Sequence, residues 1–326
     1  MRAAIYEKTG AARDVISIVE METPQAGLGQ VRVQLHSSGV NPSDVKSRSG
    51  VRAMSFPRVI PHSDGAGVID QVGENVDRER LGQRVWTWNA AWSRPNGTAA
   101  EYVVLPASQA VRLPDCVDMP AGACLGIPAM TALHAIQVCG GVTGQRVLVP
   151  GGAGAVGHYA IQMARLLGAR QVLTTVSGIK KAVLAQQAGA DVVINYRTED
   201  VVKRVMEETE GCGVDRIVEV DFAANIETSL KVLKPDSLIV TYGSTAAEIK
   251  APFYPIMLKN VGIKFFIVYN LDNASRQSAI SELNKMLSEG LLKHNIDSTF
   301  VLDETVAAHE WVEQGKGAGN VVIKTR

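Results

Sequence analysis

Apolar and polar positions alternate in short runs over the first third of the chain, and each run is cut by Gly or Pro. Residues 31–35 alternate as a half-buried strand, with branched side chains at Val31 and Val33. The same pattern recurs at 65–72, which turns at Gly73, at 83–88, and at 100–105, which closes on Pro106. The opening segment reads as a strand followed by a turn at Gly10. Many short strands between Gly and Pro predict a compact, barrel-like β domain. After Pro120 the period lengthens. Residues 121–139 are apolar and helix-compatible, interrupted by Gly126 and Pro128. Strand patterns then follow at 146–149, 171–176, 192–196, 214–220, 238–242 and 263–269, with helical patterns at 155–167, 180–188 and 201–208. In the first of those helices Val156, Ala160, Met163, Ala164 and Leu167 fall at helical spacing, and Gly168 stops it. Six strands alternating with helices predict an α/β, doubly wound parallel sheet of the dinucleotide-binding kind. An amphipathic helix at 278–289 and a strand at 320–323 return the chain to its first type. The α/β domain therefore reads as an insertion into the β domain.

Composition narrows the function. A length of 326 residues suits two domains. Lys and Arg total 33, as do Asp and Glu, so there is no basic excess to displace counterions from a nucleic acid. No apolar run is long enough to span a bilayer, and the start lacks the apolar core of a secretory signal. Cys116, Cys124, Cys139 and Cys212 are widely and irregularly spaced, which argues against a disulfide framework or a Cys-rich zinc site. The expectation is a soluble, cytoplasmic protein with reduced thiols and a small-molecule substrate.

The densest motif is Pro150-Gly151-Gly152-Ala153-Gly154-Ala155-Val156-Gly157. It follows a strand and opens a helix. Gly152, Gly154 and Gly157 fit the dinucleotide fingerprint, in which glycines make the tight turn and let backbone approach a pyrophosphate. The helix N-terminus then offers free N–H groups and partial positive charge. Pro150 lacks an N–H, so it belongs at the strand's very end. NAD-specific folds place an acid at the end of the second strand to hold the ribose 2′-hydroxyl. That stretch here is Thr174-Thr175-Val176-Ser177, with Lys180 and Lys181 after it. Absence of the acid and nearby cations favour a 2′-phosphate, hence NADPH. The same lysines also suit an exposed helix start that only aids solubility.

The residues Gly39-Val40-Asn41-Pro42-Ser43-Asp44, Ser63-Asp64-Gly65-Ala66-Gly67-Val68, Ala100-Glu101-Tyr102 and 126–132, together with the glycine turn, resemble zinc-independent medium-chain reductases. The zeta-crystallin-like NADPH:quinone oxidoreductases are the most similar. The resemblance implies a GroES-like catalytic domain at 1–124 and 270–326, a Rossmann NADP-binding domain at 125–269, and an active site in the cleft between them. Zinc alcohol dehydrogenases of the same superfamily carry Cys where this chain has Asn41 and a His-Glu pair where it has Ser63-Asp64. His62 falls one place too early to replace that histidine, so no metal is expected.

By the same resemblance, Asn41, Asp44 and Thr131 lie near the nicotinamide and substrate. Asn41 and Thr131 suit hydrogen bonds to a ribose hydroxyl, a carboxamide or a quinone oxygen, although Asn41-Pro42 also fits a simple turn and Thr131 a helix cap. Lys181 and Tyr196 align with positions that hold the 2′-phosphate, and Ser177 is expected to help them. Tyr242, Gly243 and Ser244 after the fifth strand, and Val268, Tyr269 and Asn270 after the sixth, align with cofactor-contacting loops. Arg52 stands where some zeta-type proteins carry a tyrosine near the cleft, which points to an acidic or more polar substrate. No residue stands out as a general acid. The implied reaction is hydride transfer from NADPH to a quinone or conjugated carbonyl. Rivals are reduction of an enone, enal or enoyl double bond, and a non-catalytic, crystallin-like or RNA-associated NADPH-binding protein. A homodimer is expected through edge pairing of residues 264–269, a long apolar edge that otherwise invites aggregation.

Overall fold

The computed structural model describes residues 1–326. They divide into one unit of Met1–Pro128 with Asn284–Arg326, and a second of Ala129–Leu283. In the first unit the strands are β1 (Arg2–Ile5), β2 (Ser17–Glu20), β3 (Gln30–Val40), β4 (Asp64–Val72), β5 (Arg84–Thr87), β6 (Tyr102–Pro106) and β7 (Ala110–Arg112). In the second they are β8 (Arg146–Pro150), β9 (Gln171–Val176), β10 (Val192–Asn195), β11 (Val214–Glu219), β12 (Leu233–Thr241) and β13 (Gly262–Phe265). The chain then returns to the first unit for β14 (Ile296–Val301) and β15 (Asn320–Lys324). No helix is long and apolar enough to cross a membrane.

The first unit is built on β3, the longest strand. Its far edge pairs β4 along almost its whole length, while its near edge is divided: Gln30–Gln34 pairs β6, and Ser37–Val40 pairs the returning β15. Register shifts between Arg32 and Val33 and between Leu35 and Ser37 bend β3 enough for this division. The final strand thereby becomes part of the first domain's main sheet, ordered β14-β15-β3-β4-β5-β7. Its core is the alternating set Val31, Val33, Leu35, Ile69, Val85, Val103 and Leu105, all buried.

The second unit is a parallel sheet ordered β10-β9-β8-β11-β12-β13, the expected doubly wound arrangement. The strand order reverses between β8 and β11, and the glycine turn leaves β8 there. Leu148, Leu173, Ile194, Ile217, Phe222 and Ile239 fill one face of this sheet. Each fully buried side chain of this size contributes about 1.5–3 kcal/mol.

Several expectations shift. The domain crossings move from 125 to Ala129 and from 270 to Asn284. At the first, residues 125–128 stay with the β unit because Ile127 N donates to Asp64 Oδ2 at 3.1 Å, and a π-helical turn (Leu125–Ala129) carries the chain into the helix Met130–Gln137. At the second, the helix Asn273–Ser288 starts earlier than its pattern suggested and changes allegiance along its length. Arg276 near its start donates to Val268 O and Tyr269 O, whereas Asn284 accepts from Trp86 Nε1 and Leu287 O from Cys116 Sγ.

The sixth strand of the α/β sheet ends at Phe265, not at 269. It is the sheet's edge, but Ile267 leads into a 3₁₀ turn at Val268–Asn270 whose Val268 and Tyr269 are buried. An edge pairing of two copies would therefore use a four-residue strand rather than residues 264–269. The fifth strand ends at Thr241, before Tyr242, and the third ends at Asn195, although Tyr196 N still donates to Val176 O at 3.1 Å.

Candidate functional site

In the α/β unit, the four glycines of the turn have separable roles. Gly151 has φ +72°, in the left-handed region, and its N–H reaches Thr175 O at 3.1 Å. A Cβ on Gly152 would stand 2.0 Å from Thr174 Oγ1 and 2.6 Å from Ile161 Cδ1, and one on Gly157 would stand 2.4 Å from Gly151 O. The fold needs these three. Gly154 is different. Its φ of −76° is open to any residue, and an added Cβ would meet only Gly151 O, at 3.2 Å. A side chain there meets one tight contact with backbone, milder than at Gly152 and Gly157, and close approach of a phosphate would exclude it altogether. Gly154 is the N-cap of the helix Ala155–Leu166, with no side-chain cap. The first-turn N–H groups of Ala155, Val156 and Gly157 thus lack intrahelical acceptors and stand ready for an anion. Ala153, just before the cap, is buried.

A cavity of about 500 Å³ opens beside this turn, lined by Gly151, Thr175, Tyr196, Val220, Asp221 and Asn225 among others. It lies at the strands' C-terminal ends, where open α/β sheets bind ligands. Tyr196 is half exposed, which suits a ring waiting for a flat partner. Asp221 is the one carboxylate in this lining, and it is already engaged: Oδ1 accepts from Thr245 N at 2.9 Å and Thr245 Oγ1 at 3.1 Å. Ser177 follows β9 and is half-buried. Lys181 sits in the first turn of the helix Ile179–Gln187 and is half-buried, whereas Lys180 is exposed. Sequence reading passed over Arg197, an exposed cation directly after Tyr196. Tyr242, Gly243 and Ser244 lie just past β12, half-buried. Val268 and Tyr269 have their carbonyls taken by Arg276, and Asn270 N is spent on Ile267 O. Thr131 is buried in the helix Met130–Gln137, at its second residue, so it is not that helix's cap.

In the β unit, Asn41 and Asp44 meet Asp64, a residue that sequence reading quoted but assigned no role. Asn41 caps the helix Pro42–Ser49, with Pro42 at its first position. Asn41 N donates to Asp44 Oδ2 at 2.8 Å, and Asn41 Nδ2 donates to Asp64 Oδ2 at 2.9 Å. Burial raises the Asp44 pKa to about 7, against the opposing pull of the Asn41 N–H and the Arg52 charge. Burial and the neighbouring Asp44 raise Asp64 well above the usual carboxylate range. Asn41 thus sits between two carboxyls that burial makes readier to hold a proton than a free carboxyl. Arg52, half-buried, stacks on Trp92 with its guanidinium carbon 5.7 Å from the ring centroid.

Behind this cluster runs a buried polar chain. His62 has φ +75°, and its Nε2 is 2.9 Å from His309 Nε2; its Nδ1 is 2.9 Å from Ser38 Oγ. Ser38 Oγ meets Thr98 Oγ1, which donates to Asp64 O at 2.6 Å. Burial lowers both imidazole pKa values, that of His309 to about 3, so the pair is neutral.

Residues 27–115 match the family model described as alcohol dehydrogenase GroES-like domain, and residues 155–288 match that described as zinc-binding dehydrogenase. A human quinone oxidoreductase is 31% identical over 90% of this chain and 88% of its own length. The chain belongs to the medium-chain dehydrogenase/reductase family. A Burkholderia member, 2-haloacrylate reductase, is 31% identical over 99% of this chain and 98% of its own. Among solved structures, an NAD-dependent alcohol dehydrogenase superposes with a TM-score of 0.91 at 26% identity, covering both chains completely. A mycobacterial protein in complex with NADPH superposes with a TM-score of 0.88 at 28% identity, over 99% of each chain.

The second model's description names zinc, and the positions compared with zinc ligands in the sequence are hydrogen-bonded within the protein. Asn41 is bonded to Asp64, Ser63 Oγ accepts from Ala91 N, and both ring nitrogens of His62 are engaged within the protein. No three His, Cys, Asp or Glu side chains are grouped to hold a metal, and the four cysteines are free and separate.

Proposed function

We propose that this medium-chain reductase binds NADPH and reduces a quinone or a related conjugated carbonyl. The observation that carries the reading is the glycine turn itself, which opens an uncapped helix at Gly154 and leaves its first N–H groups without intrahelical acceptors. NADPH supplies the hydride, and the acceptor takes up one proton alongside it. The N–H groups of Ala155, Val156 and Gly157 hold the pyrophosphate, and the cavity beside Tyr196 takes the adenine. Lys181, with Ser177 and Tyr196, holds the 2′-phosphate beyond the end of β9, a strand that carries no carboxylate. The NADPH complex of the mycobacterial neighbour supports a site for this cofactor.

Asn41 orients the acceptor. Its amide group donates to Asp64 and is also hydrogen-bonded to Asp44, which fixes its orientation toward the acceptor. Asp44, with a pKa of about 7, is the nearby group able to yield a proton at neutral pH. Thr131 completes the polar contacts to the nicotinamide. Reduction of an activated double bond is the second reading, favoured by the 2-haloacrylate reductase relative. Steady-state NADPH oxidation with a panel of quinones and enals tests both. Acceptor-dependent oxidation is expected with at least one class. A rate no greater than that without acceptor, across the panel, would remove the enzymatic reading.

A further inference from the structure

We infer that Arg52, held on Trp92, is a carboxylate-binding subsite and that the preferred acceptor is a conjugated alkene or carbonyl bearing an acid group. The inference deepens the reading above and rests on it for the identity of the reaction.

Three observations converge. First, the guanidinium of Arg52 makes no hydrogen bond and no ion pair; its contact is the face of Trp92. A cation–π contact at this distance leaves the N–H groups of the guanidinium free for a carboxylate, which Arg can receive with two parallel bonds. Second, the platform is rigid. The loop that carries Trp92 is tied to Ser63 through Ala90 N to Ser63 O at 3.2 Å and Ala91 N to Ser63 Oγ at 3.3 Å. Arg94 ties it again, donating to Asn89 O at 2.7 Å and Gln109 Oε1 at 2.6 Å. Asn89 and Ser93 both take positive φ, at 52° and 56°, so the loop holds a conformation that relaxed backbone would leave. Preorganisation of this kind is what makes a charged contact selective.

Third, the local charge balance is positive where the acceptor would bind. Arg52 is near enough for its charge to act on Asp44, the residue bonded to Asn41. Burial holds the carboxyls of Asp44 and Asp64 above the usual range, which reduces the negative charge they set against Arg52. Arg48, on the helix just before it, is spent on Gly10 O and Glu313. An anionic acceptor therefore finds a cation in Arg52, and a neutral quinone gains nothing from it.

The reaction balances without a further reagent. With 2-chloroacrylate, hydride adds to C3, a proton adds to C2, and the products are 2-chloropropanoate and NADP⁺. The test compares 2-chloroacrylate with its methyl ester, which keeps the double bond and loses the charge. For the wild type, kcat/KM for the acid is expected to exceed that for the ester by about ten- to a hundredfold, carried by KM. Arg52→Gln should bring the ratio close to one, and Arg52→Lys should leave it intermediate. An acid-to-ester ratio that Arg52→Gln does not change, or a wild-type preference for the ester, overturns the inference. Equilibrium binding of 2-chloropropanoate, followed by tryptophan fluorescence, reads the subsite without turnover. Binding that Arg52→Gln weakens by a similar factor supports the subsite even if no acceptor is reduced, in which case the reaction assignment alone has failed. Binding that ignores Arg52 sinks the subsite even if quinones are good substrates.

Discussion

The glycine turn of the α/β unit and the Asn41 cluster of the β unit were built in different ways. The turn is local: eight consecutive residues make the bend, open the helix and leave N–H groups unpaired, so spacing alone announces it. The cluster is assembled from a helix cap at Asn41, a strand start at Asp64 and a π-helical turn at Ile127, far apart along the chain. Its chemistry lies in protonation states that only burial creates. A binding function that acts through backbone can be written in a short motif, whereas one that acts through desolvated carboxyls has to wait for the fold.

That difference can be broken most forcefully inside the turn itself. Gly152→Ala pushes a methyl group onto Thr174 Oγ1 at 2.0 Å, and overpacking of this kind should destabilise the protein by about 3 kcal/mol. Gly154→Ala should leave the melting temperature nearly unchanged and weaken NADPH binding by about tenfold or more. Thermal melts and NADPH titration of the two variants check the pair; a Gly154→Ala protein that bound NADPH normally would reduce the turn to a structural device.

A smaller effect separates the cluster. The folded pKa of Asp44, about 7, lies above the unfolded value of 3.8, so the folded state binds the extra proton between these values. Its contribution to stability is complete below pH 4 and is lost as pH rises through about 7. His309 has the opposite sign: its pKa falls from 6.5 to about 3, so its contribution is complete above 6.5 and is lost as pH falls toward 3. The two overlap in the wild type, and a variant resolves them. Asp44→Asn should gain stability relative to wild type as pH rises from 5 to 8, by about 2–3 kcal/mol in all. Urea midpoints at each pH measure this, and a difference independent of pH would mean that Asp44 is charged throughout.

The α/β unit was largely legible in sequence because its strands are apolar on both faces and its helices end on glycines, as at Gly168 and Gly189. The helix Thr305–Gln314 went unread because its buried positions include Thr305 and His309, which give no apolar stripe. The sixth strand was read too long: Ile267, Val268 and Tyr269 are apolar because they pack, not because they pair. Asn41, Asp44 and Arg52 were marked by resemblance. Asp64 carried the signal of an acid amid small residues, Asp64-Gly65-Ala66-Gly67, but nothing in spacing says that it is buried. Trp92 had no signal at all until Arg52 was found lying on it.

The central claim is that the α/β unit is an NADPH site in which Lys181 meets the 2′-phosphate. Titration of NADPH and NADH onto the wild type, Lys181→Ala and Lys180→Ala tests it most directly. Lys181 is half-buried at the end of β9 and Lys180 is exposed, about 100° around the helix. The wild type should bind NADPH more tightly than NADH. Lys181→Ala should weaken NADPH by roughly ten- to a hundredfold and leave NADH nearly unchanged, with Lys180→Ala close to wild type. Equal losses for both nucleotides in Lys181→Ala, or a larger selective loss in Lys180→Ala, would contradict the account.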